Sequence, residues 1–125
     1  MKLRIQGNSI RLRLKQGEVD ELSRHGRVAD RLTLGPDGQH LDYGLEVDES
    51  ASVLGLRSTA TEITVLLPLE RAAVWTSTEL VGLDGAVDIG DEGEVTLLIE
   101  KDFTCLHQRP GEDESDNYPN PAADA

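Results

Sequence analysis

Five cations crowd the first fifteen residues: Lys2, Arg4, Arg11, Arg13 and Lys15. Arginine presents paired N–H donors that match the oxygens of a carboxylate or phosphate. A patch of this type can hold a small anionic ligand or an acidic segment of a protein partner. The other chemistry-bearing group lies near the C-terminus. Cys105 and His107 stand two apart, so in an extended segment their side chains share a side, and Glu112, Asp113, Glu114 and Asp116 follow. Thiolate, imidazole and carboxylate are together donors for zinc or another transition metal, and His25 or His40 can join from elsewhere in the fold. Structural zinc asks for four ligands, commonly in repeated Cys or His pairs, and this sequence has one such pair. A packed cysteine beside a surface histidine is the plainer reading.

Catalytic arrangements are harder to find. Neighbours two apart on a strand rarely meet at hydrogen-bonding geometry, so Cys105 and His107 make a poor nucleophile and base. No serine-hydrolase elbow, phosphate-binding loop or Gly-x-Gly-x-x-Gly occurs. A calcium loop starting at Asp88 would place Gly90 and Ile99 where oxygen ligands are required. The sequence therefore points to a small binding or accessory module without catalysis of its own. A metal-binding protein using Cys105, His107 and the carboxylates after them is the competing expectation.

Charge narrows the partners. The 125 residues carry 24 acids against 12 bases, a formal net charge of -12, which excludes non-specific nucleic-acid binding by the molecule as a whole. Residues 1–34 hold 8 bases and 4 acids, whereas residues 35–125 hold 4 bases and 20 acids. Given that surplus of acid, the basic face is expected to be neutralised within the molecule, through Asp42, Glu46, Glu100 or the acidic tail. The few aromatics (Trp75, Phe103, Tyr43 and Tyr118) leave little for base stacking and make Leu, Val and Ile the core material. A single cysteine cannot close an intramolecular disulfide and favours a reducing compartment. Charged and apolar residues alternate over Met1 to Ile5, unlike a signal peptide, and the longest apolar runs are too short for a membrane span. A cytoplasmic protein without membrane contact is expected.

The elements that must position these residues are short. Alternating apolar and charged residues on either side of Gly7-Asn8 predict a hairpin in which Leu3 faces Leu12 and Ile5 faces Ile10 on the buried side. On the other side Arg4 meets Arg11 and Lys2 meets Arg13, and like charges placed opposite one another are destabilising. A helix over 17–25 follows, with acids in its first turns, Arg24 and His25 in its last, and Gly26 to end it. Residues 28–34 and 39–47 read as a second hairpin, and 53–57 and 62–67 as two further strands. A second helix spans 68–76, with Trp75 closing it onto the sheet. Strands at 80–83 and 87–89 around an Asp84-Gly85 turn, and a last strand at 95–103, complete the body.

The expected fold is α+β: a mainly antiparallel sheet, with a barrel as an alternative form, and two short helices. Its core includes Leu3, Ile5, Ile10, Leu12, Leu14, Val19, Leu22, Tyr43, Leu45, Ile63, Val65, Trp75, Val95, Leu97 and Ile99. Residues 1–103 form the domain. Residues 104–125, with five acids and three prolines, read as an extended or disordered tail. Opposite charge at the two ends suggests that this tail docks across the first hairpin, steered by Tyr118 and Pro119-Asn120-Pro121.

Both ends also carry recognisable sequence. Gly7 to Leu14 with Glu18-Val19, then Glu100 to Phe103, Cys105-Leu106, Glu112 to Glu114 and Pro119 to Pro121 resemble a family of small, uncharacterised bacterial proteins, a domain of unknown function. The resemblance implies a small bacterial domain and transfers no chemistry.

Overall fold

A computed structural model of the chain describes residues 1–104 and 113–121. Cys105, His107 and Glu112 lie outside the described residues. Eight strands and two helices follow one another as β1 (Lys2–Gln6), β2 (Ser9–Leu14), α1 (Gln16–His25), β3 (Arg27–Thr33), β4 (His40–Asp48), β5 (Gly55–Thr59), β6 (Glu62–Pro68), α2 (Leu69–Ser77), β7 (Gly82–Asp88) and β8 (Glu94–Lys101). They build two four-stranded sheets, ordered β1-β2-β8-β7 and β3-β4-β6-β5. The fold is α+β and mostly sheet.

Both sheets follow one plan. Two antiparallel hairpins lie side by side, and their inner strands run parallel: β2 with β8, and β4 with β6. The whole second sheet is inserted between the two hairpins of the first. Antiparallel pairing therefore dominates, but each sheet is mixed. Neither closes into a barrel, because β1, β7, β3 and β5 remain as outer strands.

The first hairpin has the expected register, Leu3 opposite Leu12, Arg4 opposite Arg11 and Ile5 opposite Ile10. Gly7 takes φ +53° and no non-glycine residue has positive φ among the described residues, matching a primed turn with glycine first. Helix α1 ends as expected on Gly26, whose left-handed φ of 72° lets its N–H donate to the Leu22 carbonyl. Leucine, isoleucine and valine fill the space between the layers: Leu12, Leu14, Leu45, Val65, Leu67 and Ile99 are all buried, and Trp75 seals α2 onto them. The Trp75 Nε1 donates to the Val81 carbonyl at 3.0 Å, so its one polar atom is satisfied.

Two expectations are corrected. Ile5 is not core: it is 54% exposed, because β1 is an outer strand and Ile5 sits next to its turn, with no strand on the far side among the described residues. Asp84-Gly85 is not a turn but the middle of one continuous strand, β7, paired from Gly82 through Asp88 with β8. Gly85 serves close approach there, since a Cβ would stand 3.2 Å from the Cβ of Leu54.

The described part of the C-terminal segment turns at Ser115–Asp116, where Asn117 N–H donates to the Glu114 carbonyl at 3.1 Å, and lies against the body. Phe103 and Tyr118 form an isolated parallel bridge, with Tyr118 N–H on the Asp102 carbonyl and Thr104 N–H on the Tyr118 carbonyl, each at 2.8 Å.

Candidate functional site

Parallel pairing of β2 with β8 brings the two motif-bearing ends of the chain side by side. Arg13 stands opposite Glu100, and Leu14 opposite Lys101. On the outer face, Glu100 accepts from Arg11 Nε at 2.5 Å, and Arg13 Nε lies 3.8 Å from the same oxygen. Lys2 Nζ is 3.2 Å from Oδ2 of Asp102, a nearly buried carboxylate. The internal neutralisation expected of this face is thus supplied by Glu100, together with Asp102. Asp42 and Glu46 are engaged elsewhere. Asp42 takes a two-pronged contact from Arg31, at 2.7 and 3.1 Å, and Glu46 one from Arg57, at 2.8 and 3.2 Å.

The neutralisation is incomplete. Glu100 is shared between Arg11 and Arg13, and Arg4 is exposed with no ion pair among the described residues. Register continues outward from Arg4 through Arg11 and Leu98 to Asp84, one row across the sheet. Beside this row, Arg4, Gln6, Ser9, Arg11 and Leu98 line a notch of about 230 Å³. Two guanidinium groups, a carboxamide and a hydroxyl border a floor formed by one leucine. That donor set suits an oxyanion. The register pairs Gln6 with Ser9 directly, next to the turn, so the hairpin pattern already contains this part of the notch.

Lys15 lies at the end of this face, on the approach to α1. Its charge contributes to holding the Asp113 carboxyl below the usual carboxylate range, behind the larger effect of the hydrogen bonds from Ser115. Asp116 is occupied at α1, where its Oδ2 accepts from Gly17 N–H at 2.9 Å and its carbonyl from Gln16 N–H at 3.1 Å. No cluster of three or more candidate metal ligands occurs among the described residues.

Behind the face, Lys101 points inward and is only 6% exposed. Its Nζ donates to the Thr78 carbonyl at 2.7 Å and lies 5.9 Å from the Trp75 ring and 5.5 Å from the Tyr118 ring. Burial pushes its ammonium below the ordinary lysine value. This cation ties the end of α2, the strand β8 and the C-terminal segment together. Sequence alone missed it, because a lysine at the end of an alternating strand reads as a solvent-facing residue.

A larger cavity of about 780 Å³ opens between the helices and β3–β4, bordered by Leu22, His25, Arg27, Glu46, Val47 and Leu69 among others. Its Arg27 and Glu46 are 3.8 Å apart and compensate one another. The outer face of β1–β2–β8 is smaller in volume but retains uncompensated positive charge, so it is the stronger candidate.

No described helix is long and apolar enough to cross a membrane. A family model described as "Family of unknown function (DUF7009)" matches residues 1–122, and the chain belongs to that family. Neither a curated protein nor a solved structure matches it.

Proposed function

We propose that the chain is a small non-catalytic binding module that receives an anionic group of a partner on the outer face of β1, β2 and β8. The observation that carries this reading is the notch beside Arg4. Two arginines line it, and only Arg11 has an ion-pair partner among the described residues. Arg4 and Arg11 stand opposite one another in register, an arrangement that destabilises the free sheet and that an arriving anion would relieve. The net charge of -12 makes the partner's approach dependent on this local patch. A single cysteine and the resemblance to bacterial proteins support a bacterial, cytoplasmic setting.

Titration of the full chain with inorganic phosphate and with acetate, followed by amide chemical shifts, tests the reading. Saturable shifts at Gln6, Ser9 and Arg11 that vanish in Arg4→Ser and weaken with salt support it. Shifts that do not saturate, or that persist unchanged in Arg4→Ser, refute it. Cys105 and His107 with the carboxylates after them remain the competing proposal. Stoichiometric zinc, iron or copper in untagged protein, lost in Cys105→Ala, would replace the binding reading with a metal one.

A further inference from the structure

We infer that β1 is a docking edge for an extended segment of another protein, one that alternates acidic and apolar residues and adds to the sheet as a further strand. The inference rests on the anion-receiving face proposed above and specifies what delivers the anion and by which geometry.

β1 ends the sheet, and no strand flanks its far side among the described residues. An unprotected outer strand presents a row of main-chain donors and acceptors to any chain that can lie alongside it. Its two side-chain rows are chemically distinct. Lys2 and Arg4 project to the outer face, backed by Arg13 and Arg11 across the hairpin. Leu3 and Ile5 project to the inner face, where Leu3 packs against the core and Ile5 is left 54% exposed. A strand laid beside β1 places its side chains directly across from these at about 5 Å. The residue opposite Arg4 must then be acidic, with the notch next to it. The residues opposite Leu3 and Ile5 must be apolar, and they would cover the isoleucine that the fold leaves exposed.

The occupant is not a second copy of this chain. Antiparallel pairing of β1 with β1 would set cations of one copy against cations of the other. The opposite edge of the same sheet carries the acids Asp84 and Asp88, but there Arg71 of α2 already donates to the main-chain carbonyl of Asp84 at 3.4 Å, which a pairing strand would have to displace. Nucleic acid is excluded by the net charge of -12 and by the absence of any aromatic residue on β1.

The test uses the full chain and the peptide acetyl-Val-Asp-Val-Asp-Val amide, with a second peptide of the same sequence N-methylated at alternate main-chain nitrogens on its sheet-pairing side. The expected result is saturable binding of the first peptide with slowed amide exchange across Lys2–Gln6. Loss of roughly tenfold in affinity is expected both for Arg4→Ser and for the N-methylated peptide. Ile5→Ser, a change at an exposed position, should weaken binding while leaving the melting temperature in place. If the N-methylated peptide binds as well as its parent, strand addition is overturned and the anion-receiving face stands. If neither peptide binds although phosphate or acetate does, the strand partner is overturned alone. If no anion binds in any form, both readings fall. Self-association of the free chain that Arg4→Ser abolishes would overturn the choice of partner.

Discussion

Asp116 caps helix α1 from 99 residues away, its Oδ2 accepting the Gly17 N–H at 2.9 Å. The local sequence cannot do this, because the residue preceding the helix is Lys15, whose side chain offers no acceptor. Glu18 reaches back to the Lys15 N–H at 2.9 Å and satisfies one further group. The remaining free N–H groups at the start of the helix fall to the C-terminal segment. Asp116→Ala should therefore lower stability by about 1 kcal/mol, within the range found for helix-capping residues. Asp116→Asn should retain most of it. Urea denaturation measures both, and faster amide exchange confined to the first turn of α1 would locate the effect. Equal stability of Asp116→Ala and the parent would show that the cap contributes nothing.

Lys101 gives the chain an alkaline signature. In the unfolded chain its pKa is the ordinary 10.5, and burial lowers it in the folded state. Below the folded value both states are protonated and the cost of burying the charge is constant. Between the folded and unfolded values the unfolded chain binds more protons, so this residue makes stability rise with pH. Tyr118, which faces it, has its phenol pushed up by burial and acts in the opposite sense above about pH 10. Comparing the parent with Lys101→Met isolates the lysine, since Tyr118 is common to both. The stability of the parent relative to the variant should increase as pH approaches 10.5. A difference that is flat across that window would show that the ammonium carries no burial penalty.

Local pattern accounts for most of the elements, and distance along the chain for most of what it misses. The Gly7-Asn8 hairpin, the end of α1 at Gly26 and the seat of Trp75 depend on neighbours in sequence, and all were readable. The parallel pairings of β2 with β8 and β4 with β6 join segments whose partner no local periodicity specifies. The candidate site shows the same division. Arg4 opposite Arg11 follows from the hairpin alone, whereas Glu100 arrives through the parallel pairing and Asp116 goes to a helix end that the sequence had not marked as uncapped. Gly85 misled because Asp-Gly suits a turn by backbone freedom, and the glycine is needed here for lack of a side chain.

Gly85→Ala tests that last point directly. The added Cβ would lie 3.2 Å from the Cβ of Leu54, tighter than ordinary contact, and Leu54 is itself 3% exposed in the core. A cost of about 1 kcal/mol is expected, typical of mild overpacking. In Leu54→Ala, which is destabilised by its own cavity, the same alanine at position 85 should cost less or become favourable. A double-mutant cycle by chemical denaturation reads this coupling. Strict additivity would mean that Gly85 does not owe its place to Leu54.

The second sheet carries the ion cluster most open to acid. Arg57 bonds Glu62 at 3.0 Å and Glu46 at 2.8 and 3.2 Å, and Arg27 stands 3.8 Å from both carboxylates. The hydrogen bonds from Arg57, reinforced by its charge and that of Arg27, hold the Glu46 carboxyl below its usual value of 4.5. A carboxylate with a depressed folded pKa contributes stability that is present above the unfolded value and is lost as pH falls through the folded one. Because Arg57 is 41% exposed, solvent screens the cluster, and about 1 kcal/mol is the appropriate scale for its removal. Arg57→Met should cost that amount at neutral pH and low salt, leaving Glu46 and Glu62 to share Arg27 at 3.8 Å. The difference from the parent should shrink below pH 4.5, as Glu46 takes up its proton, and should also shrink in molar salt. A deficit that stays constant across both conditions would assign the loss to packing of the arginine stem instead of to its charge.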